Sequence, residues 1–369
     1  MLSRGDLLFA RRSLVAEGAG KCSVVLEADE PTTFESSIIR ARPDTAKADA
    51  LYLYYFFNSP LGFHLLDTIR RQVAVAGITG GDLSQLEIPT PGLPEQRAIA
   101  HILGTLDDKI ELNRRMNETL GVMARALFKS WFVDFDPVRA KADGRDLGLP
   151  KPLGDLFPGS LEDSELGEIP KGWEVRALDE VAHFLNGLAM QKFPPTGGRS
   201  LPVIKIAELR AGDTSGADRA SADLEPDYVV QDGDILFSWS GSLECVLWAG
   251  GMGALNQHLF KVTSAIYPRW LCYLAIHQHL DSFRSIAAGK ATTMGHIQRH
   301  HLSDAGLPIP SPELLRAMDV VMQPIFESTW RRKVQSRILA ALRDALLPKL
   351  ISGNLRLPDA EEPAVEVGS

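Results

Sequence analysis

The sequence predicts an α+β fold: globular α+β units in an internal pseudo-two-fold repeat, with two long antiparallel, coiled-coil-like helices. Three observations predict it. Apolar residues at helical spacing run from Leu93 to Asp136 and again from Glu313 to Leu347, far longer than an ordinary domain helix. Short apolar strands bounded by glycine and proline precede each of these helices. The block Gly5-Asp6-Leu7-Leu8-Phe9-Ala10 recurs as Gly233-Asp234-Ile235-Leu236-Phe237-Ser238. The 369 residues, 45% hydrophobic and 23% charged, suffice for two or more domains with full cores.

Taken in order, Gly5 to Ala10 reads as a turn feeding a strand, with Val24-Val25-Leu26 and Ser37-Ile38-Ile39-Arg40 as further strands. Ala50 to Arg71 reads as a helix broken at Asn58-Ser59-Pro60, followed by a glycine-rich loop and a short strand at Leu86-Glu87-Ile88-Pro89-Thr90-Pro91. The first long helix opens with Pro94 and Glu95, where a missing N–H is harmless and the dipole favours a carboxylate. Ile99, Leu103, Leu106, Ile110, Asn113, Asn117, Leu120, Ala124, Leu127 and Trp131 alternate in steps of four and three. That is a seam for a second helix, with asparagines that fix its register. Roughly 40 residues make a rod of about 60 Å, which Pro137 should stop. Residues 137–170, rich in proline and glycine, read as an irregular connection outside any core.

A second unit starts at Trp173-Glu174-Val175, with strands near Pro202-Val203-Ile204-Lys205-Ile206 and at Asp234 to Ser238. Asn256-Gln257-His258-Leu259-Phe260-Lys261-Val262 stands where Glu35-Ser36-Ser37-Ile38-Ile39-Arg40-Ala41 stood. Trp270 to Ser285 repeats Leu51 to Ile69, and Leu307 to Pro312 repeats Leu86 to Pro91. The second long helix carries Met318, Met322, Ile325, Ile338, Leu342 and Ala345, and should end at Pro348 and Gly353. The repeat is uneven: the 62 residues from Lys171 to Asp232 precede Gly233, whereas four precede Gly5. The front of the first unit is therefore expected to be missing, leaving an apolar strand edge around Leu7-Leu8-Phe9.

A net charge of −8 argues against a chain that coats nucleic acid indiscriminately, but not against local basic loops. Cys22, Cys245 and Cys272 form no paired motif, so neither a disulfide framework nor a structural metal is expected. No apolar run spans a bilayer and no signal peptide opens the chain, so no membrane partner and a cytoplasmic location are expected. Gly18-Ala19-Gly20-Lys21-Cys22 lacks the leading glycine and the hydroxyl of a phosphate loop. On one helix, Cys272, His277 and His279 do not converge on a metal. No catalytic or cofactor motif stands out.

Between Asp281 and Asp304 there is no carboxylate, while Arg284, Lys290, His296, Arg299, His300 and His301 fall among glycine, threonine and glutamine. Such a loop suits a polyanion: Lys290 and Arg299 for phosphates, Thr292, Thr293 and His296 for base edges. Ser240 and Ser242, in the turn after the Gly233-Asp234 strand, and Lys205 are further candidates.

Leu93-Pro94-Glu95-Gln96-Arg97-Ala98-Ile99-Ala100, Leu106-Asp107-Asp108-Lys109-Ile110-Glu111-Leu112-Asn113 and Lys129-Ser130-Trp131-Phe132-Val133-Asp134-Phe135 resemble the central conserved region of type I restriction–modification specificity subunits. So do Glu165 to Trp173, Ile309 to Pro312 and Leu346 to Gly353. The resemblance implies a non-catalytic reader of double-stranded DNA with two target recognition domains, each for half of a bipartite site. It implies methyltransferase subunits as partners, which would carry S-adenosylmethionine and methylate adenine. A restriction/translocase subunit would join them. No cofactor is expected in this chain.

The expected domains are residues 1–92 (a partial first recognition domain), 93–136 (central long helix), 137–170 (connection), 171–310 (second recognition domain), 311–355 (second long helix) and 356–369 (disordered acidic tail). The seam residues Ile99, Leu103, Leu106, Ile110, Asn113, Leu120, Leu127 and Trp131 are the candidates for holding the partners. Half-sites about one duplex turn apart would suit such a rod. The alternatives are a coiled-coil scaffold or a decayed specificity-subunit fragment.

Overall fold

A glycine at positive φ followed by aspartate builds the same turn twice. Gly5 (φ 87°) and Gly233 (φ 91°) hold a left-handed backbone that a side chain would strain. The following aspartate accepts the N–H three residues earlier, Ser3 to Asp6 and Gln231 to Asp234, both at 2.8 Å. Each carboxylate also meets a cation, Arg42 on Asp6 at 2.6 Å and Lys261 on Asp234 at 3.1 Å. The Arg42 hydrogen bonds outweigh burial and hold the Asp6 carboxyl below the usual carboxylate range. This repeated pair therefore anchors a strand and is spent on the fold.

The protein is described by a computed structural model covering residues 1–15, 18–71, 76–195, 198–289 and 295–356. It divides into two units, Met1–Glu111 with Ile338–Ser369, and Leu112–Arg337.

In the first unit, Leu7–Ala10 lies between Cys22–Val24 and Ile38–Ala41 in an antiparallel sheet. Leu7 and Phe9 are buried against Tyr52, Phe56 and Leu66 of the helices Ala50–Phe57 and Pro60–Ile69. The break at Asn58-Ser59 is as predicted. Gly62 permits it, since a Cβ there would lie 2.0 Å from the Phe56 carbonyl oxygen. Two expectations fail. Leu7-Leu8-Phe9 is not an edge, because both its sides are paired; the edge strands of this sheet are Cys22–Val24 and Ile38–Ala41. Leu86 to Pro91 forms no strand.

The second unit repeats the sheet with one strand more, in the order Cys245–Leu247, Ile235–Ser238, Leu259–Thr263, His183–Asn186. Ile235 pairs with Leu247 and Val262 as Leu7 pairs with Val24 and Ala41. Arg269–Gly289 packs behind it, and Gly306–Ile309 pairs with Glu174–Ala177. A smaller sheet sets Ser200–Ile204 between Arg219–Ser221 and Gly253–Leu255, with Val229–Val230 outermost. Residues 137–170 are not the coreless connection expected. They supply the helix Asp136–Ala142 and the hairpin Leu161–Ser164 with Gly167–Pro170, and they bury Val138, Leu153, Phe157 and Ile169. Pro137 and Pro152 open short helices and Pro170 ends the hairpin, while apolar residues between them pack with Trp131 and Trp173.

Both long helices are present, Leu93–Phe132 and Pro312–Ile351. In the first unit Asp107 pairs with Arg343 at 2.6 Å, and Ile99 and Leu103 share a core with Leu350 and Ile351. In the second unit buried Asn113 donates to Gln335 at 2.9 Å and Ser336 at 3.3 Å. In the first unit numbers fall on one helix as they rise on the other, so the pairing there is antiparallel. The ends differ from expectation. The first helix stops at Phe132, Phe135 turns left-handed (φ 55°), and Pro137 opens the next helix instead of closing this one. Pro348 is tolerated one turn before the end of the second, because its missing N–H leaves a single carbonyl unpaired while Leu350 and Ile351 are buried. Among the described residues no helix is long and apolar enough to cross a membrane, and no group of His, Cys, Asp or Glu could hold a metal. Of the expected acidic tail, residues 356–369, all but Arg356 lie outside the described residues.

Candidate nucleic-acid interface

Two stretches singled out in the sequence meet in the second unit. The turn after Ile235–Ser238 runs beside the chain that follows Arg269–Gly289. Ser240 and His296 form an antiparallel bridge, the Gly241 N–H donates to the Gly295 carbonyl at 2.9 Å, and the Ile297 N–H donates to the Trp239 carbonyl at 3.0 Å. Around this crossing stand Asn186, Trp239, Gln257, His258 and His296. The Trp239 indole N–H donates to the Asn186 side-chain oxygen at 3.0 Å and the Gln257 carbonyl at 3.1 Å. Its ring lies 5.8 Å from that of His258 and 6.3 Å, edge-on, from that of His296. Asn186 is exposed, and Trp239, Gln257, His258 and His296 are half-buried. An amide, an imidazole and an indole together offer donors, acceptors and a stacking face, the chemistry that reads base edges.

The individual candidates fare differently. His296 belongs to the crossing. Arg299 is exposed nearby, its guanidinium over the Phe260 ring at 5.8 Å and donating to the Phe184 carbonyl at 3.4 Å. Ser240 is buried, its hydroxyl 3.1 Å from His258 Nδ1, so it holds that ring in place. Ser242 closes the turn, its carbonyl accepting from the Ser238 hydroxyl at 2.7 Å. Lys205 is the N-cap of the helix Ile206–Ala211 and its ammonium is paired with Asp218. Arg284 is paired with Asp281 and Glu244, so it too is spoken for. Lys290, Thr292 and Thr293 lie outside the described residues. Asn186, Gln257 and His258 share the crossing but are not among the sequence candidates; for Gln257 and His258 the sequence signal is the polar triplet Asn256-Gln257-His258 before an apolar strand.

The first unit contains the same frame with other side chains. Arg11 stands where Trp239 stands: its N–H donates to the Ser37 carbonyl at 2.8 Å, as the Trp239 N–H does to His258 at 3.4 Å. Its carbonyl accepts from Ile78 at 3.0 Å, as that of Trp239 does from Ile297. Its guanidinium reaches the Ser36 carbonyl at 3.4 Å, as the Trp239 indole reaches that of Gln257. Arg12 pairs with Gly77 in the place of Ser240 and His296. Ser36 and Ser37 thus replace Gln257 and His258.

The seam candidates point inward. Ile99 and Leu103 are buried in the first unit, Asn113 and Trp131 in the second, and Leu106, Ile110, Leu120 and Leu127 are half-buried. The four buried side chains offer no surface to another protein. The quoted motifs have internal tasks. The Gln96 amide accepts the Asp49 N–H at 2.9 Å and donates to the Pro91 carbonyl at 2.9 Å, while Asp107 accepts the Tyr55 hydroxyl at 2.6 Å.

A family described as the type I restriction modification DNA specificity domain matches residues 2–121 and 170–319. The type I restriction enzyme MjaIX specificity subunit of Methanocaldococcus jannaschii is 28% identical over 319 residues, covering 84% of this chain and 69% of that protein. The HindI specificity subunit of Haemophilus influenzae is 26% identical, covering 86% of this chain and 80% of its own length. Among solved structures, the S subunit of a type I restriction–modification system from M. genitalium superposes with a TM-score of 0.57 at 15% identity, over 98% of this chain and 85% of that one.

Proposed function

The chain belongs to the family of type I restriction modification DNA specificity domains, and on that premise we propose that it is the DNA-reading subunit of such a system. In this reading it is not a catalyst. It brings adenine methylation, and restriction, to a bipartite site by presenting one reading frame in each unit. The observation that carries the proposal is the repeated frame: the same main-chain bonds hold Trp239, Gln257 and His258 in one unit and Arg11, Ser36 and Ser37 in the other. A constant frame with exchanged side chains is what two readers of different sequences need. Arg299 and Arg11 supply cationic contact to phosphate inside an otherwise acidic chain.

The partners fit the same reading. Methyltransferase subunits would bring S-adenosylmethionine, and the restriction subunit would join them. In the second unit the first long helix leaves Leu112, Val122 and Met123 exposed. We place methyltransferase docking there and not on the buried seam. The test is DNA binding by the chain assembled with its methyltransferase. Expected is a salt-dependent affinity that falls by about 1–3 kcal/mol for each changed base pair of the site. Affinity indifferent to sequence would favour an interaction scaffold instead.

A further inference from the structure

In the second unit the helix Pro312–Ile351 meets the sheets along one stripe. Asp319 accepts the Trp270 indole N–H at 2.7 Å, and Phe326 lies 5.8 Å from the Tyr273 ring and 5.8 Å from the Arg269 guanidinium. A Cβ on Gly233 would lie 3.2 Å from the Trp330 ring. The buried core reaches along this helix, through Leu314, Met318 and Met322, as far as Phe326. Arg337 stands about 16 Å further along, and its contact is of another kind. The guanidinium donates to both Asp232 oxygens, at 2.8 and 2.7 Å, and to the Ala249 carbonyl. Asp232 also accepts the Gly251 N–H at 2.8 Å. Burial alone would raise the Asp232 carboxyl; Arg337 and this N–H outweigh it and keep it below the usual carboxylate range. One side chain thus joins the turn before Ile235–Ser238 to the turn before Gly253–Leu255. The repeated turn does not require this pair. In the first unit Arg4 stands in the place of Asp232, yet the Gly5-Asp6 turn and its strand still form.

We propose that Arg337 is a positioning residue: through Asp232 it fixes the angle at which the sheets of the second unit stand on this helix, and with it the spacing of the two-part site that the complex accepts. Apolar contact has no preferred direction, so a core that ends at Phe326 lets the sheets rock slightly. A two-pronged guanidinium–carboxylate pair sets an angle as well as a distance, and Arg337 applies it at the far end of the lever. Ile235–Ser238 carries the effect to the candidate interface, since Asp232 lies just before this strand and Trp239 just after it. A tilt at Asp232 therefore moves the crossing of Trp239 with His296, although neither Arg337 nor Asp232 need touch DNA. The effect on spacing rests on the DNA-reading function proposed above; the effect on the angle does not.

Pulsed dipolar spectroscopy of the full chain, without DNA, tests the angle. Spin labels are placed at Val320→Cys on the helix and Ser215→Cys on the sheet side, both exposed positions, whereas Cys22, Cys245 and Cys272 are buried. Expected is a narrow distance distribution that broadens in Arg337→Met and, with the charge and one prong gone, in Asp232→Asn. The spacing is tested by methylation, by the chain assembled with its methyltransferase, of DNAs whose spacer is one base pair longer or shorter. One base pair turns the far part of the site by about a tenth of a duplex turn. Both variants should relax discrimination against these spacers about tenfold, while single-base changes in either part are refused as by the parent chain. Unchanged distance distributions overturn the proposal. So does unchanged spacer discrimination, or base and spacer discrimination lost together, which marks a general loosening of the fold. A parent chain that methylates no two-part site overturns the DNA-reading function instead, and the distances then decide the angle by themselves.

Discussion

His277 shows what burial does to a single titratable group. Its ring lies 4.5 Å from that of Tyr273 and 3.0 Å from the Cys245 carbonyl oxygen. Burial lowers its pKa to about 4, against the partial help of that hydrogen bond to its charged form. The unfolded chain therefore takes up a proton first as the pH falls. The stabilising contribution is whole above about pH 6.5 and is lost on the way to pH 4, up to about 3 kcal/mol. His277→Gln keeps an N–H for the carbonyl but cannot titrate, so its stability should fall less between pH 7 and 4. Urea titrations at stepped pH check this, and parallel curves for the two proteins would contradict it. In the sequence His277 stands with Cys272 and His279 as a metal set that does not converge; only the packing reveals a neutral histidine held by burial. The same holds for Ser240 and Lys205, whose residue types suggested DNA contact and whose neighbours, His258 and Asp218, engage them internally.

Elements were legible where they are periodic and long. The seam from Ile99 to Trp131 predicted a partner helix because a stripe of that length has no other way to be covered, and the antiparallel pairing follows it. Ends were less legible, since Pro137 and Pro348 each have two permitted positions in a helix and tertiary burial chooses between them. The edge of the first sheet was misplaced for a similar reason. Sequence order puts Leu7 first, but strand pairing puts it in the middle. Within the seam, the Asn113 and Asn117 side-chain oxygens are buried without a hydrogen-bond partner among the described residues. Asn113→Leu should therefore raise stability by roughly 1 kcal/mol, while loosening the register that Gln335 and Ser336 now fix. Denaturant midpoints measure the first effect. Cross-linking of engineered cysteine pairs one helical turn out of register measures the second. A destabilised Asn113→Leu protein would mean that the cross-helix bonds outweigh the orphaned oxygens.

For the whole molecule, the repeat was the most legible feature and the reading frames the least. The repeat rests on strands and turns with fixed residue requirements, whereas the frames rest on main-chain bonds that leave no mark on the sequence. The prediction at this scale concerns separability. Gln257→Ala should relax base preference in one part of the recognised site, by about 1–3 kcal/mol per lost contact, and leave the other part and complex assembly intact. Sequencing of modified adenines in cells carrying the variant and its methyltransferase reads this directly; a change in both parts would show that the units do not read independently. The frame has a further consequence. The bonds joining Trp239 to His258 and Ile297, and Arg11 to Ser37 and Ile78, run from amide to carbonyl and are blind to the side chains they carry. Mutation at these positions therefore leaves the frame folded and, in the proposed reading, alters what is read. A lineage under pressure to change its target can explore new words while its grammar stays intact.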